Sequence, residues 1–153
     1  MRICLGGTFN IFHKGHKHLI DKAFETAGRN GFVFIGVSKG PLTRNKKFLK
    51  PYILRVNAVQ KYLDEQGYTP CASIQPITTK YGVAVDGNFD AIIVSPETKD
   101  NAHEINEKRQ SLGKKPLEIV EISHILAYDN KPISSTRIYN EEIDEEGKIV
   151  RAR

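Results

Sequence analysis

The chain has 153 residues, 23 Lys and Arg against 18 Asp and Glu, a formal charge of +5 and 39% hydrophobic residues, enough for one packed domain and too short for two comfortable ones. No run approaches the roughly 18 apolar residues of a membrane span, and the N-terminus lacks the basic-then-apolar pattern of a secretion signal. Cys4 and Cys71 have no paired spacing, which argues against a disulfide framework or a CxxC metal site and makes a soluble, cytoplasmic protein with reduced thiols the expectation.

RICLGG, residues 2–7, reads as a first strand, and GGTFNIFHKGH, residues 6–16, crowds glycines, a threonine, an asparagine and two histidines into the turn after it. GHKHLIDKAFETAG then sets Leu19, Ile20, Ala23, Phe24 and Ala27 on one stripe of a helix that closes at Gly28. FVFIGVS, residues 32–38, is a second strand. A loop with Lys46 and Lys47 leads to a helix predicted over 51–66, opened by proline, closed by Gly67, with Ile53, Val56, Val59 and Leu63 facing inward. CASIQPI (71–77), DAIIVS (90–95) and LEIVEIS (117–123) are further strands, and a polar helix over 102–112, stopped by Gly113, separates the last two. A final helix begins near Ser134, and EEIDEEGKIVRAR reads as an expected loose end.

Several strands are apolar on both faces, as strands covered on each side by helices must be. Alternation of strand and helix with long crossovers predicts an α/β fold: a doubly wound, Rossmann-like parallel sheet flanked by helices, one domain over 1–153 with roughly the last ten residues loose. Ligands of such sheets sit beyond the carboxyl ends of the strands, where the turn at residues 6–16 lies.

Four chemistries compete for that turn. The glycines could serve only a tight turn, with the histidines as satisfied surface groups. A metal could use His13, His16 and His18, but no Cys, Asp or Glu accompanies them at ligand spacing. A Walker loop needs Gly-Lys-Ser/Thr and the dinucleotide fingerprint needs GxGxxG, and neither is present. Phosphate handling accounts for more residues together: Gly15 and His16 open a helix whose free N–H groups favour an anion, Thr8 and Asn10 add donors, and imidazole N–H groups can meet charge growing on phosphate oxygens. The basic balance suits anionic ligands. Aromatic content of 8% and the lack of an arginine-rich or RNP-like stretch argue against nucleic acid as the partner.

GTFN followed by HKGH resembles the T/HxGH signature of the nucleotidyltransferase superfamily, which is related to class I aminoacyl-tRNA synthetases. ISSTRI, residues 133–138, resembles its ISSTxxR motif. AIIVSPETKDNAHEINEKRQSLGKKPLEIVEI, residues 91–122, and RNKKFLKPYILRV, residues 44–56, resemble the corresponding blocks of phosphopantetheine adenylyltransferases of the archaeal and eukaryotic type. The resemblance covers nearly the whole chain.

It implies transfer of AMP from ATP to 4'-phosphopantetheine, giving dephospho-coenzyme A and pyrophosphate in coenzyme A biosynthesis, with Mg²⁺ carried by ATP and no metal ligand from the protein. His16, His13, Lys46 and Thr8 would be catalytic. Gly7, Thr8, His13 and His16 would bind ATP, with Ser134, Ser135 and Thr136 offering hydroxyls and backbone N–H groups to the triphosphate and Arg137 adding charge. Thr8, Asn10, Lys46, Tyr81, Gly82 and Val83 would bind the acceptor. Lys47 is the alternative to Lys46 by one residue. VSPET stands where bacterial relatives carry two arginines, leaving Arg109 either as their substitute or as a surface residue. Asn10 replaces the aspartate of GTFD, losing a charge and keeping a donor. The alternatives are a related nucleotidyltransferase acting on glycerol phosphate, NMN or FMN, and a non-catalytic nucleotide-binding module. The oligomeric state stays open.

Overall fold

Side chains along each strand alternate between two helix layers, so strands with no polar face become the middle of a sandwich. In the computed structural model, which describes residues 1–46 and 48–150, β1 (Arg2–Gly7), β2 (Phe32–Ser38), β3 (Ala72–Ile77), β4 (Ala91–Val94) and β5 (Glu118–Glu121) form one sheet in the order β3-β2-β1-β4-β5. All four pairings are parallel. Ile3, Leu5, Val33, Ile35, Val37 and Ile93 pack with Ile20, Ala23, Val59 and Leu63 on one side. Cys4, Ile92 and Val94 pack with Ala102, Ile105 and Leu117 on the other. This period of two explains the doubly apolar strands.

Helices α1 (Lys14–Ala27), α2 (Tyr52–Gln66), α3 (Lys99–Ser111) and α4 (Ser135–Tyr139) follow β1, β2, β4 and β5. Gly67, at φ 74°, takes the left-handed conformation that ends α2 and that a side chain would resist. The strand order reverses at β1, with β2 and β3 on one side and β4 and β5 on the other, so the crevice lies beyond the ends of β1 and β4.

The structure corrects the sequence reading at three places. Ile53, expected inward, is 60% exposed, and α2 buries Arg55, Val59, Tyr62 and Leu63. The stripe is rotated because the Arg55 guanidinium finds carbonyl partners inside. α3 starts at Lys99, before the expected Ala102. The segment expected to be loose folds back as far as Val150: Ile143 is 1% exposed, bridges to Ile149 and joins Ala127 and Ile133 in a small third core. No helix among the described residues is long and apolar enough to cross a membrane.

Candidate active site

The turn after β1 is organised by its histidines. His13 is the N-cap of α1, and its Nδ1 accepts the Gly15 amide at 3.0 Å. The His16 Nδ1 reaches back to accept the His13 amide at 3.2 Å. This is a capping box built from two imidazoles in place of a hydroxyl and a carboxylate. With Nδ1 of each ring accepting, the proton of each neutral imidazole sits on Nε2, leaving that atom as a donor. A Cβ on Gly15 would lie 2.8 Å from Cε1 of His13, so the glycine of HKGH lets the ring lie over the helix start.

The two rings stack at 3.8 Å, and His16 also lies 5.1 Å from the Phe9 ring and 5.5 Å from Phe12. Burial pulls the pKa of His13 down to about 4. His16 is held well below its ordinary value, by burial first and then by repulsion from His13. At neutral pH both are neutral N–H donors, suited to stabilising charge without giving up a proton.

A cleft of about 650 Å³ opens over this turn, lined by Gly7, Thr8, Asn10, His13, His16 and Lys46 from one side of the crevice and Ser134, Ser135 and Thr136 from the other. The two sides are tied together. The Ser135 hydroxyl accepts the Ile11 amide at 3.1 Å and lies 3.2 Å from the Ile11 carbonyl, and the Lys14 amide donates to the Glu145 carbonyl at 2.9 Å. A second cavity of about 240 Å³, largely apolar, lies beside β1 and β4 and is lined by Phe34, Ile77, Tyr81, Gly82, Val83 and Ile105 among others. Gly6, Gly7, Thr8, Lys46 and Thr98 line both. The cavities therefore meet at the end of β1.

Other expected roles change. The Ser134 hydroxyl caps α4 by accepting the Arg137 amide at 3.2 Å, which leaves its own O–H free to donate, and that of Ser135 is engaged with the Ile11 backbone. Arg137 does not line the cleft. Its guanidinium pairs with the Asp129 carboxylate at 2.5 and 3.3 Å and donates to the carbonyls of Lys131 and Pro132. Asn10 lines the cleft, but its amide donates to the Phe48 carbonyl at 3.1 Å and accepts the Lys50 amide at 2.8 Å, so it clamps the loop that follows Lys46. Lys47 lies outside the described residues.

Arg109 is neither a surface residue nor a phosphate ligand. It is 5% exposed and donates to the carbonyls of Ala84, Val85, Gly87 and Lys115, bracing the segment behind the apolar cavity. Sequence reasoning also missed Arg55, buried on α2, and a ring stack of Phe48 on Tyr139 at 3.8 Å that links the Lys46 loop to α4. The available signal for Arg55 was its place four residues before Val59 and eight before Leu63, on the stripe that faces inward.

Residues 4–141 match the model of the family described as Cytidylyltransferase-like. The chain is 41% identical over 152 residues to a phosphopantetheine adenylyltransferase of Archaeoglobus fulgidus, covering 98% of this chain and 100% of that protein. It is 39% identical to a phosphopantetheine adenylyltransferase of Methanosarcina mazei, covering 97% and 96%. Among solved structures, a protein from Archaeoglobus fulgidus described as of unknown function superposes with a TM-score of 0.73 at 34% identity, covering 88% of this chain and all of the other.

Proposed function

This chain belongs to the cytidylyltransferase-like family, and we infer that it transfers AMP from ATP to 4'-phosphopantetheine, forming dephospho-coenzyme A and pyrophosphate. The observation that carries this reading is the meeting of two unlike cavities at Gly7, Thr8 and Lys46. One is the more polar, and its wall presents two neutral imidazoles suited to a triphosphate. The other is apolar and suited to the pantetheine arm. The acceptor's terminal phosphate and the α-phosphate of ATP come together where they join.

An oxygen of the acceptor phosphate attacks the α-phosphorus, a new P–O bond forms, and the bond to the β-phosphate breaks to release pyrophosphate. The acceptor is already mostly dianionic at neutral pH, since a phosphate monoester has its second pKa near 6, so no general base is required. The barrier is repulsion between anions and charge on the crowded α-phosphoryl group, and positioning with electrostatic stabilisation lowers it. In this reading Thr8 orients the acceptor phosphate, Lys46 bridges it to the α-phosphate, and the Nε2–H groups of His13 and His16 stabilise the nucleotide phosphates. Backbone around Gly7 and at residues 134–136 holds the triphosphate. Tyr81, Gly82 and Val83 contact the pantetheine arm.

Among the described residues no group of three or more His, Cys, Asp or Glu gathers at metal-binding distance. Mg²⁺ in this reading travels with the triphosphate and offsets charge on its oxygens. The cytoplasm is the proposed compartment. The test is product formation from ATP with 4'-phosphopantetheine, glycerol phosphate, NMN and FMN in turn. Dephospho-coenzyme A and pyrophosphate in equal amounts from the first acceptor alone support the reading. Activity only with another acceptor, or ATP binding without pyrophosphate release, overturns it.

A further inference from the structure

A buried cation is costly unless its donors are matched. Arg55 is 2% exposed, and no carboxylate pairs with it among the described residues. Its guanidinium donates from Nε to the Lys50 carbonyl at 2.9 Å and from Nη1 to the carbonyls of Thr8 at 3.0 Å and Ser38 at 2.7 Å. These three carbonyls belong to the turn after β1, the end of β2 and the approach to α2. Two of these segments carry or adjoin the groups where the cavities meet. Thr8 sits at the junction, its hydroxyl accepting that of Ser38 at 3.1 Å, and Lys50 closes the loop that carries Lys46.

We propose that Arg55 is a positioning residue for nucleotidyl transfer, holding Thr8 and the Lys46 loop in register with each other from behind the site. The proposal rests on the adenylyltransferase reading. Thr8 and Lys46 must meet the two reacting phosphates from different chain segments, so their separation is a property of whatever ties those segments together. Asn10 ties the Lys46 loop to the same turn from the cleft side. Arg55 does so from the core side and adds the end of β2. A planar guanidinium can address three carbonyls along fixed directions, whereas a lysine ammonium on the same helix is a single compact point charge.

The test is steady-state kinetics on Arg55→Lys and Arg55→Gln, alone and combined with Lys46→Ala, after each variant is shown to melt cooperatively. Misplacement by about 1 Å costs on the order of a hundredfold in rate, so kcat of Arg55→Lys is expected to fall by roughly that factor, with KM for ATP changed less than about threefold. In a Lys46→Ala background the same substitution lowers kcat by less than about fivefold, because the group being aimed is gone. A purely structural arginine gives a lower melting temperature with normal kcat in the folded fraction. That result, or full multiplication of the two effects, overturns the proposal. Amide exchange supplies a readout independent of the acceptor. Residues 8–11 and 48–50 are expected to exchange together at least about tenfold faster in Arg55→Lys, with α3 unchanged. Wild-type protein inactive on phosphopantetheine overturns the functional reading and with it the role of Arg55 in transfer; coupled acceleration then supports only the tie that Arg55 makes between the two segments, and unchanged rates overturn that tie as well.

Discussion

Acidification tests the buried histidine pair directly. His13 titrates at about 4 in the folded chain because it is 7% exposed, against an ordinary value of 6.5. The folded-state pKa is depressed for a group that is charged when protonated, so the unfolded chain takes up the proton first. Stability is complete above pH 6.5, declines as pH falls from 6.5 to about 4, and loses nothing more from this group below that. Between pH 7 and pH 5 the loss from His13 is about 2 kcal/mol, equivalent to roughly 4–8 °C in melting temperature for a domain of this size. Carboxylates titrate over part of the same range, so the measurement is a difference. His13→Asn keeps a helix-capping acceptor and removes the titration. Denaturant melts of both proteins at pH 7 and pH 5 should show the wild type losing about 2 kcal/mol more than the variant. Equal losses would mean that His13 is not buried as a neutral imidazole, and the argument for Nε2–H donors would go with it.

Three further outcomes are expected. His16→Ala should lower kcat by about a hundredfold or more, because one aimed transition-state donor is worth roughly 3 kcal/mol, and pyrophosphate release measured in a coupled assay checks it. Asn10→Asp should lower both kcat and melting temperature, since a carboxylate cannot donate to the Phe48 carbonyl and leaves a hydrogen bond of about 1 kcal/mol unmade; wild-type turnover would show that the clamp is dispensable. Gly36→Ala would place a Cβ 2.8 Å from Cγ2 of Ile77, a wall of the apolar cavity, so the isoleucine must shift at an overpacking cost of about 1–3 kcal/mol. KM for phosphopantetheine should rise while KM for ATP holds, and the reverse pattern would assign the cavities the other way round.

Much of the scaffold was readable because it depends on local pattern. β1 and β2 begin and end at the expected residues, since runs apolar on both faces have one comfortable place in a helix-covered sheet. The histidine turn was legible from the coincidence of strand end, glycines and helix start. What escaped depends on distant partners. Ser134 reads in sequence as a helix cap or a phosphate ligand, and the folded chain shows it capping α4, while the hold of Asp129 on Arg137 appears only once the chain is folded. Arg55 reads as an ordinary polar helix position until the carbonyls of Thr8, Ser38 and Lys50 come around it. Ile143, set among charged residues, gave no period to follow, and its burial requires the small core built by Ala127 and Ile133, with Ile149 bridging to it along the backbone while staying exposed.

The bonds from Ile11 to Ser135 and from Lys14 to Glu145 join positions 124 and 131 residues apart. A nascent polypeptide on the ribosome can therefore close most of its sheet while its first helix still lacks the partners that complete its entrance. On the adenylyltransferase reading, competence to handle nucleotide waits for the emergence of residues beyond 135. Proteolytic clipping after Ser123 should accordingly leave an assembled sheet that has lost its chemistry, and protection of that cut by ATP would report maturation of the enzyme.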